Sequence, residues 1–168
     1  ELDKKGLLIK EVVEVEHDSE ISGHPSGSSR VPLNKDQQMV VEELVREKNQ
    51  FSVSLIHGVT GSGKTNVYIE MISRCLERDQ QALLLLPEIA ITQQLVDRFT
   101  MSFGACVGVS HSGLGDKRRA DVWTQFKRGV IKILLGTRSA VWVSAKNLSC
   151  IVVDEEHDPS YKQLEGFR

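Results

Sequence analysis

The chain has 168 residues, 40% hydrophobic and 26% charged, the balance of one globular domain with a single sizeable core rather than a disordered tail. Twenty-one basic side chains stand against 23 acidic ones, so no global basic field draws nucleic acid, and any such contact must rest on a local patch. Three scattered cysteines, Cys75, Cys106 and Cys150, argue against a disulfide framework or a zinc cluster and read as small buried hydrophobes in a reducing cytoplasm, and no apolar stretch approaches the ~20 residues of a membrane span.

The opening residues Glu1 to Gly6 are charged and unlike a signal peptide. With no initiator methionine and an abrupt stop at Arg168, the chain reads as a piece of something larger. Residues 7–16 alternate apolar and polar side chains, as a short strand does. Residues 17–30 are polar, rich in Gly and Ser, and read as a flexible linker, so the compact domain is expected over 31–168. Asn34 is placed to cap a helix running through Gln38 to Glu47. Buried strands are expected at 52–57, 82–86, 105–109, 131–135 and 149–153, with helices at 64–78, 91–102 and 116–128. Apolar strands alternating with helices predict a layered α/β domain with a mainly parallel central sheet, whose ligands bind beyond the carboxyl ends of the strands.

Residues 58–65, GVTGSGKT, match G-x-x-x-x-G-K-[ST] between an expected strand and an expected helix. Gly58, Gly61 and Gly63 let backbone amides approach phosphate, and Val59, Thr60 and Ser62 add their amides to the same loop. Lys64 is suited to the β- and γ-phosphates of ATP, and the Thr65 hydroxyl to Mg²⁺. A glycine-rich turn that happens to carry a lysine is the alternative. About ninety residues on, an apolar strand ends in Asp154-Glu155. Asp154 suits Mg²⁺, held through water, and Glu155 suits a general base that polarises the attacking water. A solvated acidic turn is the alternative, and a phosphate-loop kinase is the competing enzyme; the Asp-Glu pair favours hydrolysis.

The ordered series GVTGSGKT, LLPEIAIT (85–92), HSGL (111–114), GTRSAVW (136–142) and VVDEEHDPSYKQLEGFR (152–168) resembles the first RecA-like lobe of a superfamily 2 helicase. It is similar above all to the primosomal replication-restart family, over about residues 31–168. Residues 2–7 resemble, more weakly, the end of the winged-helix domain that precedes that motor. The resemblance implies a three-layer RecA-like phosphate-loop lobe of an ATP-dependent 3′→5′ DNA helicase, using ATP and Mg²⁺ and acting on single-stranded or forked DNA. Replication-restart proteins and single-strand-binding protein are the implied partners, and a bacterial cytoplasm the implied compartment.

By position it implies that Gln37 reads adenine and that His157 couples the γ-phosphate to DNA. Pro87, Thr92, His111, Thr137, Arg138 and Ser139 would face DNA, with turn and cap chemistry as their alternative. Tyr161 and Phe167 would stack on bases beside Lys162 and Arg168, with core packing as the alternative for the two aromatics. The family's zinc-binding cysteines match nothing in this chain, so no zinc is expected. Its second lobe, which supplies an arginine finger, also lies outside the sequence, and this chain is expected to hydrolyse ATP poorly alone. Another superfamily 2 translocase and a nucleotide-gated binding module remain the alternatives.

Overall fold

The computed structural model describes residues 11–14, 32–46, 51–59 and 61–162. The chain divides into two compact units, Glu1–Arg74 and Cys75–Arg168. No described helix is long and apolar enough to cross a membrane.

In the first unit, strand β1 (Glu11–Glu14) pairs in parallel with β2 (Ser54–His57), Val12 opposite Leu55 and Val13 opposite Ile56. Helix α1 (Lys35–Val45) starts where the sequence predicts, because Asn34 and Gln37 form a capping box. The Gln37 amide donates to the Asn34 side chain at 2.7 Å, and the Gln37 side chain accepts from the Asn34 amide at 3.1 Å. Two otherwise orphaned donors are satisfied, a cap worth about 1 kcal/mol. Val40 and Val41 on α1 bury fully with Val67 from helix α2 (Lys64–Glu77), and Leu33, Leu44 and Ile56 pack around them.

The second unit is built on a four-stranded, all-parallel sheet in the order β4-β5-β3-β6. Its strands are β3 (Gln81–Leu85), β4 (Val107–Ser110), β5 (Ile133–Gly136) and β6 (Leu148–Val153). Leu83 lies opposite Leu134 on one side and Ile151 on the other. Every residue of β3 and β5 is buried, which is why both read as unbroken apolar runs. Helices α3 (Gln93–Phe103) and α4 (Asp116–Arg128) connect the strands. Phe126 of α4 packs with Leu83, Leu85, Ile131, Leu134 and Ala140 in the main core.

Strand β6 departs from the expectation of a buried strand. It stands at the sheet edge, and of its residues only Val152 is buried while Ile151 and Val153 are 53% and 44% exposed. The strand expected at 105–109 begins two residues later, because Gly104 ends α3 and residues 104–106 make a 3₁₀ turn first. Gln81, fully buried, ties three elements together. Its Nε2 donates to Phe126 O at 2.7 Å and Ile131 O at 3.0 Å, and its Oε1 accepts from the amides of Lys146 at 2.8 Å and Asn147 at 3.0 Å.

The cysteines also differ from their sequence reading: all three are half-buried, and Cys75 and Cys150 meet. A hydrogen bond with Cys150 holds the Cys75 thiol down to about 6 against the opposing effect of burial. The same contact, with burial added, pushes Cys150 well above the ordinary thiol value.

Candidate functional site

The phosphate loop follows β2 and leads directly into α2, so backbone amides gather at a helix N-terminus with no acid in the first turn. Gly61 and Gly63 sit at φ 85° and 83°, conformations that side chains resist. At Gly63 there is a second constraint, since a Cβ there would lie 2.4 Å from Gln37 Nε2. That same Nε2 donates to Ser62 O at 3.1 Å, so the predicted adenine reader braces the loop from beneath. Lys64 turns its ammonium into the loop, donating to Gly58 O at 2.7 Å and Val59 O at 3.3 Å. Ser62 is buried, and its Oγ has no hydrogen-bond partner, the one such side-chain atom among the described residues. Thr65 is half-buried on the first turn of α2, and Thr60 lies outside the described residues.

This loop fits a polyphosphate. A buried hydroxyl without a partner is costly unless a ligand satisfies it. The lysine, the helix terminus and the absence of any acid between Gly58 and Thr65 all suit an anion. For Mg²⁺ this loop offers the Thr65 hydroxyl, a hard oxygen of the kind that ion takes.

In the second unit, Asp154 prolongs the parallel ladder of β6, its amide donating to Leu85 O at 3.0 Å. The chain then turns sharply. Glu155 takes φ 48°, a left-handed conformation rare outside glycine and costing about 1 kcal/mol. The turn closes where the Asp158 amide donates to Glu155 O at 2.8 Å. The Glu155 carboxylate stands 3.5 Å from His157 Nε2, with both side chains substantially exposed. So exposed a contact constrains the Glu155 carboxylate little.

A 3₁₀ turn over Pro159–Tyr161 follows, capped by the Asp158 side chain on the Ser160 amide at 2.8 Å. The Tyr161 ring lies against the main core and its hydroxyl donates to Asp154 O at 2.9 Å. Burial first, then the charges of Asp154, Asp158 and Glu155, push this phenol far above its ordinary value, so it stays a donor.

The candidate DNA residues divide. A cleft of about 710 Å³ beyond the strand ends brings together Thr137, Arg138, Ser139 and Lys162. Arg138 Nη1 donates to Lys162 O at 3.2 Å, and the hydroxyls of Thr137 and Ser139 stand 3.5 Å apart. Arg119, Ser160 and Glu88, which the sequence did not single out, share that lining with Ser112 of the HSGL segment. Arg119 sits among the basic residues of α4, which resemble any solvated helix face, and Glu88 belongs to a 3₁₀ turn too short to leave a period.

Pro87, Thr92 and His111 do not line this cleft. Pro87 is buried at the N-cap of the 88–90 turn. Thr92 caps α3, its Oγ1 accepting from the Leu95 amide at 3.3 Å, and His111 Nδ1 accepts from the Gly113 amide at 3.2 Å. Thr92 and His111 thus each make a cap or turn hydrogen bond. Phe167 and Arg168 lie outside the described residues.

Comparison with known proteins agrees with this geometry. The family model for DEAD/DEAH box helicases matches residues 34–168. The chain is similar to the replication restart protein PriA of Bacillus subtilis, 40% identical over 165 residues, 96% of this chain and 20% of that protein. PriA of Haemophilus influenzae is 42% identical over 143 residues, 85% of this chain and 20% of that protein. PriA of Synechocystis is 49% identical over 111 residues, 66% of this chain and 13% of that protein. The chain therefore spans at most about a fifth of the length of these relatives.

Proposed function

Because the chain belongs to the DEAD/DEAH box helicase family, with its RecA-like α/β fold, we propose that residues 31–168 are the first ATP-binding lobe of a replication-restart DNA helicase. Residues 1–16 would then be the tail of a preceding domain whose strand β1 adds to β2 of the lobe, and 17–30 the linker. The whole protein would use ATP hydrolysis to move 3′→5′ along single-stranded DNA at stalled or forked substrates. Restart proteins and single-strand-binding protein would be its partners, in the bacterial cytoplasm.

The observation that carries this reading is the phosphate loop, with Lys64 turned inward, Ser62 Oγ unpartnered and Gln37 bracing the backbone. On binding, Lys64 would exchange the Gly58 and Val59 carbonyls for phosphate oxygens, and Ser62 would gain an acceptor. Gln37 contributes by fixing the loop, and its side-chain amide would read adenine. Thr65 and Asp154 would hold Mg²⁺, which neutralises phosphate charge when bound. Glu155 would take the proton of the attacking water, and His157 would couple the γ-phosphate to DNA contact. Thr137, Arg138, Ser139 and Lys162 offer hydroxyls and positive charge to the DNA backbone.

Binding of labelled ATP tests the site. Lys64→Ala should weaken it at least about tenfold, the scale of a charge-assisted phosphate contact. Unchanged affinity would remove the phosphate loop from the account.

A further inference from the structure

The chain has two tryptophans, and they stand in opposite settings. Trp123 is half-buried and donates from Nε1 to Ser110 Oγ at 2.8 Å. Trp142 is 82% exposed, unusual for so large an aromatic ring.

Its place is fixed by the 3₁₀ helix Arg138–Trp142. A 3₁₀ turn has three residues, so i and i+3 eclipse and lie about 6 Å apart along one face. Ser139 lines the cationic cleft, and Trp142 is its i+3 neighbour, one turn along the same face. The helix itself is rigidly seated. Ala140 is fully buried, and a Cβ on Gly136 would come within 2.3 Å of the Ala140 methyl, so the strand end accepts only glycine there. The Ala140 amide donates to Thr137 O at 2.8 Å, and the Val143 amide to Ala140 O at 3.1 Å. The indole is therefore presented from a fixed backbone, and ordering it against a ligand costs little entropy.

The surroundings specify the ligand. Arg119, Arg138 and Lys162 line the cleft with the hydroxyls of Ser112, Ser139 and Ser160, against the single carboxylate of Glu88. Arg119 is paired with the exposed Asp116 at 2.7 Å, while Arg138 Nη1 donates to Lys162 O. Phosphate-binding groups followed at one turn's spacing by an exposed indole are the two parts of a single-strand platform. Duplex DNA hides its base faces in the stack, so only an unpaired base can lie on the ring.

We infer that Trp142 is a stacking platform for an unpaired nucleobase of the strand whose phosphates lie in this cleft. The inference rests on the nucleic-acid reading of the cleft given above. Stacking on the indole is tolerant of base identity and adds nothing to the charge neutralised.

The test uses the full chain with Trp142→Ala, Trp142→Phe and Arg138→Ala, titrated with labelled oligo-dT and with an abasic phosphodiester of equal length over a series of salt concentrations. Wild-type emission minus that of Trp142→Phe reports residue 142 alone. The expected result is quenching by oligo-dT and none by the abasic strand. Trp142→Ala should bind oligo-dT roughly tenfold more weakly, with the abasic affinity and salt slope unchanged, and Trp142→Phe should restore most of the loss. Arg138→Ala should instead flatten the salt slope by about 0.7. Equal binding of oligo-dT by wild type and Trp142→Ala, without quenching, would overturn the stacking role and leave the phosphate cleft standing. No binding of either strand by wild type would take down the nucleic-acid reading itself.

Discussion

Gln37 is where a residue's role diverged furthest from its type. A glutamine at the start of a helix suggests a polar surface group or a base reader, yet this one is buried and spends its side chain on Asn34 and Ser62. The capping half was legible, since Asn34 and Gln37 stand three apart. The Ser62 contact spans 25 residues, and no local pattern reports it. Replacing Gln37 by Leu keeps the volume and strands two polar backbone groups. We expect a loss of about 1–3 kcal/mol in urea unfolding, with the loop loosened for nucleotide. Tyr161→Phe keeps the ring in the core and removes only the bond to Asp154 O, which should cost about 1 kcal/mol.

The Cys75–Cys150 contact is equally invisible in the sequence, where 75 residues separate the pair. Its consequence is a pH dependence. The Cys75 value lies below the ordinary 9.0, at about 6, through the hydrogen bond with Cys150. Alkylation of Cys75 by iodoacetamide should therefore rise through about pH 6, and in Cys150→Ala only near pH 9. A depressed acid contributes stability that is complete above its unfolded value and lost as pH falls through the folded one. The contribution of this thiol thus fades from about pH 9 down to about pH 6.

Among the elements, those with a strong period or an unbroken apolar run were readable. Helix α4 matches its expected span, and β3 and β5 announce themselves because both their faces are buried. Edge strand β6 carried the same apolar signature but keeps mostly exposed side chains, since composition does not say where in a sheet a strand lies. The 3₁₀ turns at 88–90, 138–142 and 159–161 were not readable, being shorter than any period, and they supply much of the cleft. Gln81 ties β3 to the end of α4 and the start of β6. Gln81→Leu would strand two carbonyls and two amides, and we expect about 2–4 kcal/mol of destabilisation, read as a lower urea midpoint.

At the scale of the molecule, one unit carries the phosphate loop and the other carries the acidic strand end, the Tyr161 turn and the cationic cleft. Each half has its own chemistry. The central claim is that these parts belong to a motor that DNA stimulates. The most direct test is steady-state ATP turnover with and without single-stranded oligonucleotide, for this chain and for the protein extended by a second lobe, each beside Lys64→Ala. We expect slow turnover by the chain alone, DNA-stimulated turnover by the extended protein, and loss of both in Lys64→Ala. An extended protein whose turnover ignores DNA would contradict the claim and leave a nucleotide switch in its place.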